Sequence, residues 1–171
     1  MRALALVVAL CTLWAPGRAA ALDWSVGGGA RGALSGPLTL RPLAFAEVMV
    51  EVQRRWGLSL ELEGGGGPGP QSAVESWTTW GTARAGLVTW ETVGPVQLRG
   101  RAALGGEMRG VRYLIGPELA AVGTGWAFEA QLEVRALVPT PVGRVGLSVG
   151  LGLQGVGHDL RIALVWAPRR E

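Results

Sequence analysis

Between Trp126 and Val138 every second residue is apolar. Trp126, Phe128, Ala130, Leu132, Val134, Ala136 and Val138 hold one parity, and Glu129, Gln131, Glu133 and Arg135 hold the other. A helix does not sort residues this way, because its apolar positions recur at intervals of three and four. The stretch is therefore a strand with one greasy and one charged face. The same pattern ends the chain, where Leu160, Ile162, Leu164 and Trp166 share a face opposite Asp159, Arg161 and Ala163. A chain built of such strands folds as a sheet whose two faces need opposite environments.

Six further segments repeat the pattern. Asp23 to Ala33 alternates weakly, with Trp24, Val26 and Ala30 against Ser25, Gly27, Gly29 and Arg31. From Leu43 to Arg54, Ala44, Ala46, Val48, Val50 and Val52 oppose Glu47, Met49, Glu51 and Gln53. Arg54-Arg55 reads as a tight turn into Trp56, Leu58, Leu60 and Leu62, which alternate with Gly57, Ser59, Glu61 and Glu63. The run from Gly64 to Pro70 predicts a loop. Val74 to Thr89 sets Trp77, Ala83, Ala85 and Leu87 against Ser76, Thr78, Trp80, Thr82 and Arg84. After the Gly94-Pro95 turn, Val96, Leu98, Ala102 and Leu104 oppose Gln97, Arg99, Arg101 and Ala103. Residues 105–125 lose the alternation and predict one long loop, with Tyr113, Leu114 and Ile115 as an apolar cluster available for contact. After Pro139-Thr140-Pro141, Val145 to Leu153 opposes Arg144 to Gln154, and Gly155 to His158 predicts the last turn.

The start of the chain reads as an address. Arg2 precedes an apolar run from Ala3 to Ala15, too short to span a bilayer as a helix, and Ala19-Ala20-Ala21 suits cleavage before Leu22. Residues 1–21 are expected to be a signal peptide and 22–171 one domain. Cleavage would remove Cys11, the sole cysteine, so no disulfide is expected. It would also remove Arg2 and Arg18, leaving 14 of 16 basic residues against 13 acidic ones. A net charge near neutral gives no basic surface for nucleic acid.

The expected fold is all-β, an eight-stranded antiparallel up-and-down transmembrane β-barrel. No interior run approaches the ~20 apolar residues of a membrane helix, and a closed barrel is the other way to satisfy backbone groups in lipid. A soluble, lipocalin-like periplasmic binder would place the apolar face inside instead. The tryptophans favour lipid. With the chain starting in the periplasm, Trp24, Trp56 and Trp166 fall at the lower rim and Trp77 and Trp126 at the upper, all on the apolar parity, as two aromatic girdles. The lumen then carries Glu47, Glu51, Glu61, Glu63, Arg84, Arg99, Arg101, Glu129, Glu133, Arg135, Arg144 and Arg161. Eight strands leave a bore just wide enough for such side chains to meet, so they are expected to pair as a plug.

On its signal peptide, girdles and closing strand, the chain resembles the OmpA/OmpX-like class of small eight-stranded outer-membrane proteins. The resemblance implies the outer membrane of a Gram-negative bacterium, contact with its lipid, assembly by the barrel-assembly machinery through the closing strand, and a monomer. The strand departs from that pattern, because Ala167 to Glu171 follow the aromatic Trp166. The role expected is structural, or interaction through the outer loops with an extracellular ligand that the sequence does not identify. A narrow transporter of small apolar solutes is one alternative. A lipid-modifying enzyme is another; it would use His158 beside Asp159 with Ser35, Ser72 or Ser76, but the local motif of such enzymes is missing. One histidine and no mature cysteine make no metal cluster, and Gly64 to Gly67 lack the Lys and Ser/Thr of a phosphate loop. No cofactor is expected.

Overall fold

The computed structural model describes residues 22–34, 40–68, 75–115, 118–154 and 157–169. The proposed signal peptide lies outside them. Eight strands form: β1 (Leu22–Ala33), β2 (Arg41–Gln53), β3 (Trp56–Pro68), β4 (Glu75–Val93), β5 (Val96–Ile115), β6 (Glu118–Thr140), β7 (Gly143–Gln154) and β8 (Gly157–Ala167). Each pairs antiparallel with the next, and β8 returns to β1, so the sheet closes into a barrel.

Register fixes the shape of the closure. Paired residues followed once round the wall run Leu22, Val50, Leu58, Leu87, Ala102, Leu132, Leu151, Leu160 and back to Gly32, a shift of ten residues (32 − 22) along β1. Eight strands with this shear tilt by about 40° from the barrel axis. The two-residue turns at 54–55, 94–95 and 141–142 lie at the same end as both termini. In the first, Arg55 adopts a left-handed φ of 79°, and its carbonyl accepts a hydrogen bond from the Trp90 amide at 3.0 Å.

Polarity is inverted relative to a soluble protein. Trp126, Leu164, Phe128 and Met108 are each about two-thirds exposed on the outside, whereas Glu61 and Arg161 are 0 % exposed inside. One small apolar cluster shares the interior, made of Leu43, Phe45, Trp80, Leu137, Ala163 and Val165. An outer surface of this composition is stable only against lipid.

Three expectations from the sequence are corrected. Gly64 to Pro68 is not loop but the end of β3, paired with Gly81 to Trp77 of β4. The missing side chains are what allow this. A Cβ on Gly65 would lie 2.8 Å from Trp80 Cη2, and one on Gly67 3.2 Å from Arg41 Cγ, so the glycines let neighbouring side chains lie flat across the inner wall. Residues 105–115 and 118–125 are not loop but the outer halves of β5 and β6, so Tyr113, Leu114 and Ile115 are strand residues. β4, β5 and β6 run to 19, 20 and 23 residues, against about 10 needed to cross the lipid core, and stand beyond their neighbours as a wall. β6 before Glu129 has no described partner on β7. Lastly, Gly157 and His158 open β8 and are not turn residues.

Candidate functional site: the charged bore and its outer mouth

Alternation sends one residue in two from every strand into the bore, where the charged groups form three layers. Nearest the termini, Asp23 accepts from Arg99 Nη2 at 2.7 Å and from Arg144 Nη2 at 2.9 Å, and the Gln97 amide oxygen accepts from both arginines. Arg144 also donates to the Pro168 carbonyl at 3.1 Å, which ties the segment after Trp166 to the bore. Glu51 lies half-buried near this rim, opposite Gly57 of β3.

The middle layer is centred on Glu61. Its carboxylate meets Arg84 at 2.9 Å, Arg101 at 2.9 Å, Arg135 at 3.1 Å and Arg161 at 3.0 Å, from β4, β5, β6 and β8. Glu133 receives Arg135 at 2.6 Å and Arg101 at 3.1 Å, and Glu47 pairs with Arg135. The Phe45 ring lies 4.1 Å from the Arg161 guanidinium carbon and 5.1 Å from that of Arg135, close enough for cation–π attraction. Ser25, Ser59 and Ser148 supply hydroxyls that satisfy remaining donors and acceptors.

In the outer layer Arg31 reaches four carboxylates, Asp159 at 2.6 Å, Glu107 at 2.9 Å, and Glu63 and Glu129 at 3.1 Å. Glu63 and Glu129 are shared with Arg84, and Trp80 Nε1 donates to Glu63 at 3.3 Å. Above them Arg109 meets Glu107 at 2.6 Å and Gln154 at 3.3 Å. A water-filled bore would leave these groups accessible. Arg84, Arg161, Glu61, Glu107 and Glu129 are instead all under 2 % exposed, so the interior is packed by its own charges.

The comparisons with known proteins agree with this geometry. No family model matches the chain, and no curated protein matches it. Among solved structures it is similar to Ail, the attachment invasion locus protein of Yersinia pestis, with TM-score 0.61 and 12% identity over 88% of this chain and 98% of that one. The fold is that of a small outer-membrane β-barrel. Neisserial surface protein A is similarly related, with TM-score 0.60 and 7% identity over 90% of this chain and 100% of that one. A major outer membrane protein from Thermus thermophilus gives TM-score 0.60 and 12% identity over 86% of this chain and 99% of that one. At these identities the likeness is one of fold.

The five tryptophans expected to form girdles, Trp24, Trp56, Trp77, Trp126 and Trp166, lie on the barrel's outer face, whereas Trp80 is buried in the bore. Trp24 and Trp166 meet edge to face at 5.1 Å beside the seam between β1 and β8, and Trp56 Nε1 donates to Gln53 at 2.9 Å. Trp77 stands near the start of β4. Trp126 does not open its strand; it lies eight residues into β6, edge to face with Phe128 at 5.5 Å. His158 is on the outer face of β8, whereas Ser76 is on the inner parity of β4, and Ser35 and Ser72 lie outside the described residues.

Sequence reasoning missed Asp23, Arg31, Arg41, Glu107, Arg109 and Asp159 as members of the charged interior. Asp23, Arg31 and Asp159 sat on the polar parity of recognised segments and were legible there. Glu107 and Arg109 were hidden inside a stretch read as loop, and Arg41 lay before the alternation that begins at Leu43.

Proposed function

We propose that the chain is exported through a cleaved signal peptide, residues 1–21, and assembled by the barrel-assembly machinery into the outer membrane of a Gram-negative bacterium. There it is a monomer with a closed, ion-paired interior, and its role is structural or one of surface interaction through its outer end. The observation that carries this reading is the inverted polarity, with Glu61 and Arg161 dry in the bore and Trp126 and Leu164 about two-thirds exposed outside. Closure of β8 on β1 supports a monomer, because at the height where all eight strands pair the ring presents no free edge to a partner. The ladders of the closed ring, continuous apart from register shifts at Glu51/Gln53 and Tyr113/Leu114, give no side opening for an apolar solute among the described residues.

The surface that meets the exterior is the projecting wall of β4, β5 and β6. Tyr113 and Leu114 sit near its tip, with Tyr113 paired to Ala121 and a register shift beside it. The test is fractionation combined with gel mobility before and after heating, followed by planar-bilayer recording. Outer-membrane recovery, a heat-dependent mobility shift and no conductance are expected. A periplasmic, heat-insensitive protein would overturn the membrane reading, and steady ion current would overturn the closed interior.

A further inference from the structure

Nine arginines point into the barrel: Arg31, Arg41, Arg84, Arg99, Arg101, Arg109, Arg135, Arg144 and Arg161. Eight of them meet a carboxylate within 4 Å. Arg41 is the exception among the described residues. Its Nε is buried with no hydrogen-bond partner. It opens β2, directly across from Arg31 of β1, and the Arg31 guanidinium is already taken up by four carboxylates below. On its other side stands Gly67, over which the Arg41 side chain lies.

Farther round the mouth, Thr78 and Val111 continue the same ladder to Gly123, where a side chain would find nothing within 4 Å. Arg109 sits one inward position below Val111 and is 42 % exposed. Burial and the charges of Arg109 and Arg31 disfavour the charged form of Arg41 while Glu107 favours it, and Glu107 is already bound by both Arg109 and Arg31. Among the described residues Arg41 is therefore an inward guanidinium left without a carboxylate of its own, at a partly dry mouth. A guanidinium with a buried, unmet donor is poised for an acceptor that carries charge.

We propose that the outer mouth of the bore is a binding site for one oxyanion group of the phosphate or sulfate class, held between Arg41 and Arg109. Such a group is tetrahedral, accepts hydrogen bonds from a guanidinium fork in pairs, and supplies the charge that Glu107 alone does not. Gly123 leaves room for it, and the layer of carboxylates beneath stops it from passing deeper. The site deepens the surface-interaction reading and rests on that reading only for which end of the barrel faces outward.

The test is NMR of arginine Nε–Hε signals in the purified, detergent-solubilised barrel, titrated with inorganic phosphate, inorganic sulfate and glucose 6-phosphate. A saturable shift of the Arg41 signal is expected, with binding weakened about tenfold or more in both Arg41→Gln and Arg109→Gln. Arg112→Gln, on the outer face, is expected to bind as the unaltered protein does. Saturation by the two inorganic ions alone would identify a free ion as ligand, and saturation by the sugar phosphate as well would identify a saccharide-borne group. No saturable shift, or equal binding by Arg41→Gln, would overturn the site. Heat-dependent gel mobility is recorded for every sample, so a failed titration on a folded barrel counts against the oxyanion site and leaves the membrane reading standing.

Discussion

Glu61 on β3 and Arg161 on β8 meet across the bore in a forked pair, with Arg161 Nη1 3.0 and 3.1 Å from the two carboxylate oxygens and Nη2 3.2 Å from one of them. The strands they belong to are far apart in sequence and on different sides of the ring. The contact thus spans the lumen and fixes the spacing of the walls. Because three other arginines converge on the same carboxylate, the charge of Glu61 is shared by most of the interior.

Glu61→Gln keeps the size of the side chain and leaves those arginines facing a neutral amide. Removing one member of a buried ion pair costs about 3–5 kcal/mol, since the partner stays buried without its counter-charge. The urea midpoint for loss of the compact, fast-migrating gel form is expected to fall by the corresponding amount. An unchanged midpoint would mean that Glu61 is not the centre of the network.

Phe45 and Arg161 together block the middle of the barrel, with the ring 4.1 Å from the guanidinium carbon. Phe45→Leu removes the cation–π contact and is expected to destabilise by about 1 kcal/mol with the bore still shut. Phe45→Ala combined with Arg161→Ala removes both bulk and charge at one level. That variant is expected to show discrete steps in planar-bilayer recording that the unaltered protein lacks.

The fold was legible because the alternation at Leu43–Val52, Trp126–Val138 and Leu160–Trp166 has one sheet-forming interpretation, and the parity of Trp24, Trp77 and Trp166 told inside from outside. The glycine run and residues 105–125 were not legible, for a common physical reason. Gly64 to Gly67 have no side chains to alternate, and above the lipid band nothing forces the outer face of β5 and β6 to be apolar, so Arg112 can stand on the same face as Leu104 and Met108. Strand there is dictated by backbone pairing to β4, which a local pattern does not record. The partners in the network escaped for a related reason. Parity shows that Arg31 and Glu107 face inward, but which carboxylate an arginine meets depends on the shear of ten, a property of the closed ring.

Gly65 and Gly81 make a controlled pair on neighbouring strands. A Cβ at Gly65 would lie 2.8 Å from Trp80 Cη2, whereas one at Gly81, on the outer face, would meet nothing within 4 Å. Gly65→Ala is expected to cost roughly 1–3 kcal/mol by overpacking. Gly81→Ala is expected to be neutral or to add about 0.4–1 kcal/mol by restricting the unfolded chain. Urea titrations in the same detergent compare the two, and equal effects would contradict the placement of the glycine run in β3.

Leu132 and Leu22 are almost equally exposed, at 57% and 63%, so exposure alone predicts that arginine is tolerated at both. Depth separates them. Leu132 lies between Trp126, six residues away along β6, and the Thr140 end of the strand, eight residues away, while Leu22 is the first residue of β1 at the rim. In lipid, arginine costs about 2–4 kcal/mol at the midplane and about 0–1 kcal/mol near the interface. Leu132→Arg is therefore expected to lower folding stability in vesicles strongly and Leu22→Arg hardly at all. In a soluble barrel both changes would sit in water and differ little, so the gap between the two variants reads the membrane directly from the outer wall.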